Sequence, residues 1–311
     1  MAKTGVVLMN MGGPDSLEAI QPFLYNLFSD HNIIRIPRPI QKPVAYLISK
    51  IRAKKTEEYY RVMGGKSPQK EQTLEQAQAL QERLGDDYTV VVAMRYWHPF
   101  TEEAVEKLIR EKVERVILLP LYPHYSKTTT GSSFQEFDRV YREKGLDIPV
   151  RRVESYHNHP LFIKAWVKKI KEDVGEDYRD FYFLFSAHSL PQKVIQEGDP
   201  YKDQIEETVR LIMEHFPGVA HSIAYQSKVS PVKWLEPFTD EEIQRLANEG
   251  IRKLAVIPVS FVSEHSETLY ELDIQYGELA SQAGITDYKR VGTLRNHPLF
   301  IQALEDIVKG E

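Results

Sequence analysis

Four polar residues near the C-terminus stand at spacings that could do chemistry. Glu264, Glu267, Glu271 and Gln275 follow one another at intervals of three, four and four. On a helix those intervals align three carboxylates and an amide along one face. Just upstream, Leu254–Val259 is a short apolar run with β-branched residues and reads as a buried strand. Ser263 is placed to cap the helix that follows. A file of acids leading away from a strand end suits a divalent cation, which must exchange water for carboxylate oxygen. His265 stands beside Glu264, but the second histidine of an HExxH zinc site is missing. The pattern fits transient handling of an ion better than a permanent metal site.

A second reactive group, His188, follows the apolar run Phe181–Ser186. Imidazole is the side chain whose ordinary pKa makes it a base near neutral pH. Tyr122–Ser133 is a hydroxyl-rich loop suited to carboxylates or phosphates beside an aromatic surface. Arg95-Tyr96-Trp97-His98 and the stretch from Tyr225 to Trp234 combine cationic and aromatic groups, which suit a flat ligand with an anionic edge. Gly12 and Gly13 after the first strand predict a tight turn close to a ligand. The GxGxxG and GxxxxGK[ST] patterns of nucleotide sites are absent, and so is the GxSxG of serine hydrolases.

The elements that must position these groups alternate. Strand-like runs at Gly5–Met11, Thr89–Met94, Arg115–Leu121, Phe181–Ser186, His221–Tyr225 and Lys253–Val259 are each followed by helix-like segments. Such alternation predicts βαβ units on parallel sheets. The chain also repeats itself. Pro99-Phe100-Thr101, Leu119-Pro120 and Asn158–Ile163 recur 138 residues later as Pro237-Phe238-Thr239, Ile257-Pro258 and Asn296–Ile301. Two similar α/β lobes follow, with ligands expected beyond the carboxyl ends of the strands, in a cleft between the lobes. The repeat sets Ser126 against Glu264, and matching Pro14 to Pro191 sets Met11 against His188. It also leaves the first lobe with an insertion of about 45 residues near 15–67. That insertion contains Ile33–Lys55, apolar and basic, which reads as a lip over the cleft, facing an apolar ligand or a membrane surface.

Bulk properties narrow the field. At 311 residues the chain suits two domains, and 42% hydrophobic with 27% charged residues is ordinary globular composition. A net charge of −5 argues against a nucleic-acid binder. The absence of cysteine rules out disulfides and cysteine-ligated clusters and fits a cytoplasmic setting. No apolar stretch is long enough for a membrane span, and the N-terminus lacks the pattern of a signal peptide.

Phe185–Pro191 (FSAHSLP), Gly198–Tyr201 (GDPY), Tyr225–Leu235 (YQSKVSPVKWL), Tyr122–Ser133 (YPHYSKTTTGSS) and Phe261–Asp273 (FVSEHSETLYELD) together resemble the ferrochelatase family. Asn10–Pro14 (NMGGP) and Met63–Pro68 (MGGKSP) extend the resemblance over nearly the whole chain. The resemblance implies two Rossmann-like lobes, residues 1–155 with 296–311 and residues 156–295, with the C-terminal helix packing back on the first. It implies insertion of Fe2+ into protoporphyrin IX to give protoheme, with Fe2+ a substrate, no tightly bound cofactor and no iron–sulfur cluster. By motif position His188 and Glu267 are the catalytic pair. His188 is preferred as proton acceptor over first iron ligand, and Glu267 with Glu271 handles iron. Met11, Tyr122, Trp234 and the lip would wall the ring, while Arg95, Ser126, Arg52 and Lys55 would meet its propionates. Glu264 and His265 would support the site from behind. Gln275 departs from the family pattern, where another acid often stands. Peripheral contact with the inner membrane face would run through residues 33–55. The alternatives are coproporphyrin III as substrate, a cobalt or nickel tetrapyrrole chelatase, and a tetrapyrrole-binding protein without turnover.

Overall fold

The structure, a computed structural model, describes residues 3–228 and 232–310. The chain divides into two compact units, Met1–Ser155 with Leu304–Glu311, and Tyr156–Ala303.

In the first unit four parallel strands, β1 (Thr4–Asn10), β2 (Tyr88–Met94), β3 (Arg115–Pro120) and β4 (Val150–Arg152), lie in the order β2-β1-β3-β4. Every residue of β1 is buried, as expected of a parallel strand covered on both faces. The helices are α1 (Ile20–Phe28), α2 (Arg38–Val62), α3 (Gln69–Leu84), α4 (Thr101–Arg110) and α5 (Ser132–Glu143). Val105 and Leu108 of α4 and Phe134 and Phe137 of α5 pack on Val7, Val91 and Leu118 of the sheet. Gly5 permits this contact, since a Cβ there would stand 2.6 Å from Leu108 Cδ2.

The second unit repeats the plan. Strands β5 (Tyr182–His188), β6 (His221–Gln226), β7 (Lys253–Ile257) and β8 (Asp287–Arg290) lie parallel in the order β6-β5-β7-β8. Around them run α6 (Pro160–Val174), α7 (Gln192–Gln196), α8 (Tyr201–Met213), α9 (Thr239–Asn248) and α10 (Tyr276–Ala283). The last helix, α11 (Pro298–Lys309), begins in the second unit and ends in the first. The repeat of 138 reaches into the cores. Val105, Leu108, Val116 and Leu118 are matched by Ile243, Leu246, Leu254 and Val256, all buried in the corresponding clusters.

Two features depart from the sequence reading. The edge strands β4 (VRR) and β8 (DYKR) were not predicted, because half-exposed polar residues carry no apolar run. The acidic helix does not start at Ser263. Its winding begins at Glu267 and runs as a π-helix to Gln275 before α10. Ser263 is buried and its carbonyl lies 3.2 Å from His265 Nδ1. The first unit has a shorter π-helical turn, Lys127–Gly131, at the same place ahead of α5.

The insertion is α2 and its approaches. Where the first unit has α1 and α2, the second has only the five-residue α7 before Pro200. Gln41, Ala45 and Ser49 bury one face of α2, and the Gln41 amide donates to the carbonyls of Phe28 and Ile34, each at 3.0 Å. The other face exposes Ile40, Tyr46, Leu47 and Ile51 among Lys42, Lys50 and Lys54. Among the described residues no helix is long and apolar enough to cross a membrane.

Candidate active site

The carboxyl end of β5 delivers His188. Its N–H donates to Ser260 Oγ (3.1 Å) and its carbonyl accepts from the Tyr201 hydroxyl (3.0 Å), so the backbone is pinned on both sides. The ring Nδ1 lies 2.7 Å from Glu267 Oε2. Burial disfavours the imidazolium, but the charge of Glu267, their hydrogen bond and the charge of Glu271 outweigh it and raise His188 above its ordinary value. Burial alone would raise Glu267 too; the charge and hydrogen bond of His188, then His265 and the Ser227 hydroxyl, hold it well below the usual carboxylate range. Glu267 also opens a helical segment, where unpaired N–H groups favour a carboxylate.

Glu271 stands behind Glu267. Burial and the neighbouring Glu267 charge push it above the usual carboxylate range, while bonds from Ser227 and Gln226 pull the other way. Both carboxylates are held from the end of β6. The Ser227 hydroxyl lies 2.8 Å from Glu267 Oε2 and 2.6 Å from Glu271 Oε2. The Gln226 amide donates to the Glu267 carbonyl (3.0 Å) and to Glu271 Oε2 (3.1 Å), and its own oxygen accepts from buried Ser186 (2.7 Å). Neither Gln226 nor Ser227 was assigned to the acids from sequence. The signal was available: Gln226 ends the strand that pairs with β5, directly opposite His188.

The other acids and His265 take different places. Glu264 turns from the file to Arg290 (2.8 Å) and to the Thr293 N–H (2.9 Å). Despite its burial those partners, Arg290 foremost, lower it. His265 is buried, 3.8 Å from Glu267 Oε1 through Nε2, and burial lowers it below the ordinary value. Gln275 is exposed. Among the described residues no three histidine or acidic side chains stand together as a metal-holding group. Trp234 bridges to Pro191, three residues beyond His188, while Val229, Ser230 and Pro231 of the same motif lie outside the described residues.

In the first unit Met11, Arg95 and Tyr122 follow the carboxyl ends of β1, β2 and β3. Arg95 is committed internally: Nε donates to Ser132 Oγ (2.8 Å), Nη2 to Asp30 Oδ2 (3.0 Å), and the guanidinium lies over the Tyr96 ring. Ser126 is fully buried, and its hydroxyl accepts from Thr128 N as the cap of the short π-helical turn. Arg52 and Lys55 lie on α2, over the rings of Phe28 and Tyr59. The space that Gly12 and Gly13 open is occupied by protein: a Cβ on Gly13 would meet Ser67 Oγ at 2.5 Å, and one on Gly12 the Trp97 backbone at 3.2 Å.

Solved structures share this architecture. SirB from Bacillus subtilis with Fe3+ matches with a TM-score of 0.59 at 13% identity, covering 99% of this chain and 94% of that one. A Bacillus subtilis sirohydrochlorin chelatase SirB in complex with cobalt matches at 0.60 and 10% identity over the same shares. These likenesses establish the fold. Sequence relatives are nearer. A ferrochelatase of Sulfurihydrogenibium sp. is 64% identical, covering 98% of each chain, and one of Aquifex aeolicus is 61% identical, covering 99% of each. The ferrochelatase family model matches residues 3–311. With that match running through both repeated units and the His188–Glu267 pair, the chain belongs to the ferrochelatase family.

Proposed function

We propose that this enzyme, a porphyrin metal chelatase by its family, inserts Fe2+ into protoporphyrin IX to give protoheme, with His188 accepting the pyrrole protons and Glu267 and Glu271 handling the iron. The contact of 2.7 Å between His188 Nδ1 and Glu267 Oε2 carries the assignment of His188. With Nδ1 committed to a carboxylate, Nε2 is the nitrogen that presents a lone pair. Fe2+ enters a porphyrin only as two N–H protons leave; His188 Nε2 takes them one at a time, releasing the first to solvent before accepting the second, and Glu267 stabilises the imidazolium formed each time. Glu267 therefore has two tasks: Oε2 holds the base, and the carboxylate offers oxygen to an ion shedding its water. Glu271, with the higher proton affinity of the pair, is the outer partner. Fe2+ is a substrate here, and a chain without cysteine has no thiolate for an iron–sulfur cluster.

Protoporphyrin IX, with two carboxylates, is preferred to coproporphyrin III, with four, because Met11 and the apolar α2 insertion favour the less polar ring. The exposed face of α2, four large apolar residues among lysines, supports peripheral contact with an anionic membrane surface.

The test is anaerobic incubation with Fe2+ and protoporphyrin IX, following loss of free-base fluorescence. His188→Ala is expected to lose about 10²–10⁴-fold in kcat. Failure to beat the protein-free reaction, or full activity in His188→Ala, would sink the mechanism. Faster turnover of coproporphyrin III would reverse the choice of substrate.

A further inference from the structure

Ser227 has two properties that the reaction scheme above does not explain. Its backbone sits at φ 68°, the left-handed region that residues other than glycine, asparagine and aspartate seldom enter. From there its hydroxyl touches two carboxylates at once, Glu267 Oε2 at 2.8 Å and Glu271 Oε2 at 2.6 Å. The hydroxyl has one proton, so it donates to either oxygen in turn while both stay within hydrogen-bond reach of a single point. The neighbouring Gln226 amide reinforces this, bonding Glu271 Oε2 from the same side, and Ser186 fixes its orientation from within the core. Among the described residues, Ser227 and Gln226 are the side chains that hydrogen-bond Glu271.

We propose that Ser227 is a positioning residue for iron delivery: its hydroxyl gathers the Oε2 atoms of Glu267 and Glu271 and so presets the carboxylate pair that a divalent cation meets. The inference rests on the reading that these two acids handle Fe2+. Two like-charged carboxylates left alone would swing apart, and an arriving ion would have to bring them together while losing its own water. A hydroxyl holding both in advance removes that cost. It is also readily displaced, because a hydroxyl bond to a carboxylate is weaker than coordination of that carboxylate to a divalent ion. The left-handed backbone is what aims the hydroxyl at both acids rather than one, and this accounts for a serine in a conformation that glycine would adopt more easily.

That conformation also supplies a clean test. Ser227→Gly deletes the hydroxyl and fits the backbone, and Ser227→Asn fits the backbone and returns a donor. Binding of Co2+ alone to the porphyrin-free protein is read by calorimetry. The KM values for Fe2+ and for porphyrin are read separately under anaerobic conditions. Ser227→Gly is expected to weaken Co2+ binding and raise the KM for Fe2+ about tenfold, the size of one hydrogen bond to a charged group, with the porphyrin KM unchanged. Ser227→Asn is expected to recover part of both losses. Unchanged Co2+ affinity in Ser227→Gly, equal rises in both KM values, or no recovery in Ser227→Asn would each overturn the proposal. Glu267→Gln and Glu271→Gln are run beside them. If neither alters Co2+ affinity, the carboxylate reading itself falls; if they do and Ser227→Gly does not, only the role of Ser227 falls.

Discussion

At the scale of single residues, the proposed chemistry turns on a charge pair. His188 is part-exposed, with 32% of its side chain accessible, while Glu267 is more enclosed at 15%. The carboxylate raises the proton affinity of the imidazole, and burial lowers it. Glu267→Gln keeps the shape and removes the charge, so burial should dominate and the His188 pKa should fall. A base works when deprotonated. The acid limb of the kcat/KM profile should therefore move to lower pH in Glu267→Gln, while kcat falls because the imidazolium loses its partner. A limb that stays in place, or moves upward, would mean that His188 is not the group titrating in that profile.

The same scale shows what Arg95 and Ser126 do inside the fold, besides the propionate contacts expected of them. Both were proposed for propionates from residue type and loop position. Arg95 spends Nε and Nη2 on Ser132 and Asp30, and Ser126 caps a helical turn from full burial. Arginine and serine serve internal networks as well as ligands, and only neighbours distant in sequence reveal which. Asp30 is 65 residues from Arg95.

At the scale of elements, the π-helical segment is the part that makes the second unit different. It occupies the place of a five-residue turn in the first unit and runs for nine residues. Arg290, at the end of β8, grips the chain on both sides of Glu267 and Glu271. Its Nε and Nη2 bind the two oxygens of Asp273 at 2.6 and 2.7 Å, and Nη1 binds Glu264 at 2.8 Å. Only 12% of the Arg290 side chain is accessible, and it holds Glu264 below its ordinary pKa against the effect of burial. Removing one member of such a buried network leaves a charge without compensation. Arg290→Met should cost about 3 kcal/mol, near the lower end for broken buried pairs because Asp273 is a third exposed. Urea unfolding reads this directly. A change below about 0.5 kcal/mol, the scale of a surface pair, would mean that the clamp is slack.

At the scale of the molecule, the chain is one folding plan used twice with one large insertion. The repeated core pairs explain why both sheets have the same strand order. Helix α2 belongs to one unit alone, and its outer face is what a duplicated scaffold does not need. If that face meets anionic lipid, the protein should co-sediment with phosphatidylglycerol-containing vesicles at low salt and less so at high salt. Leu47→Glu with Ile51→Glu should abolish the association and leave the unfolding midpoint nearly unchanged, since both residues are more than half exposed. Equal pelleting of the double variant would remove α2 from the account.

The sequence by itself determined the class of fold, the duplication and the insertion, and it singled out His188, Glu267 and Glu271 as candidates. Those features are written in apolar runs, in blocks repeated at a fixed distance and in long motifs, all of which are local or periodic. Tertiary structure alone decided which acids lie together. Spacing put Glu264 in the file, but winding that starts at Glu267 sends it to Arg290, 26 residues away. Gln226 stands beside His188 because β6 pairs with β5, and Gln226 and Ser227 there hydrogen-bond Glu267 across 40 or more positions. Helical spacing predicts which residues can share a face; strand order and long-range charge pairing decide which of them do.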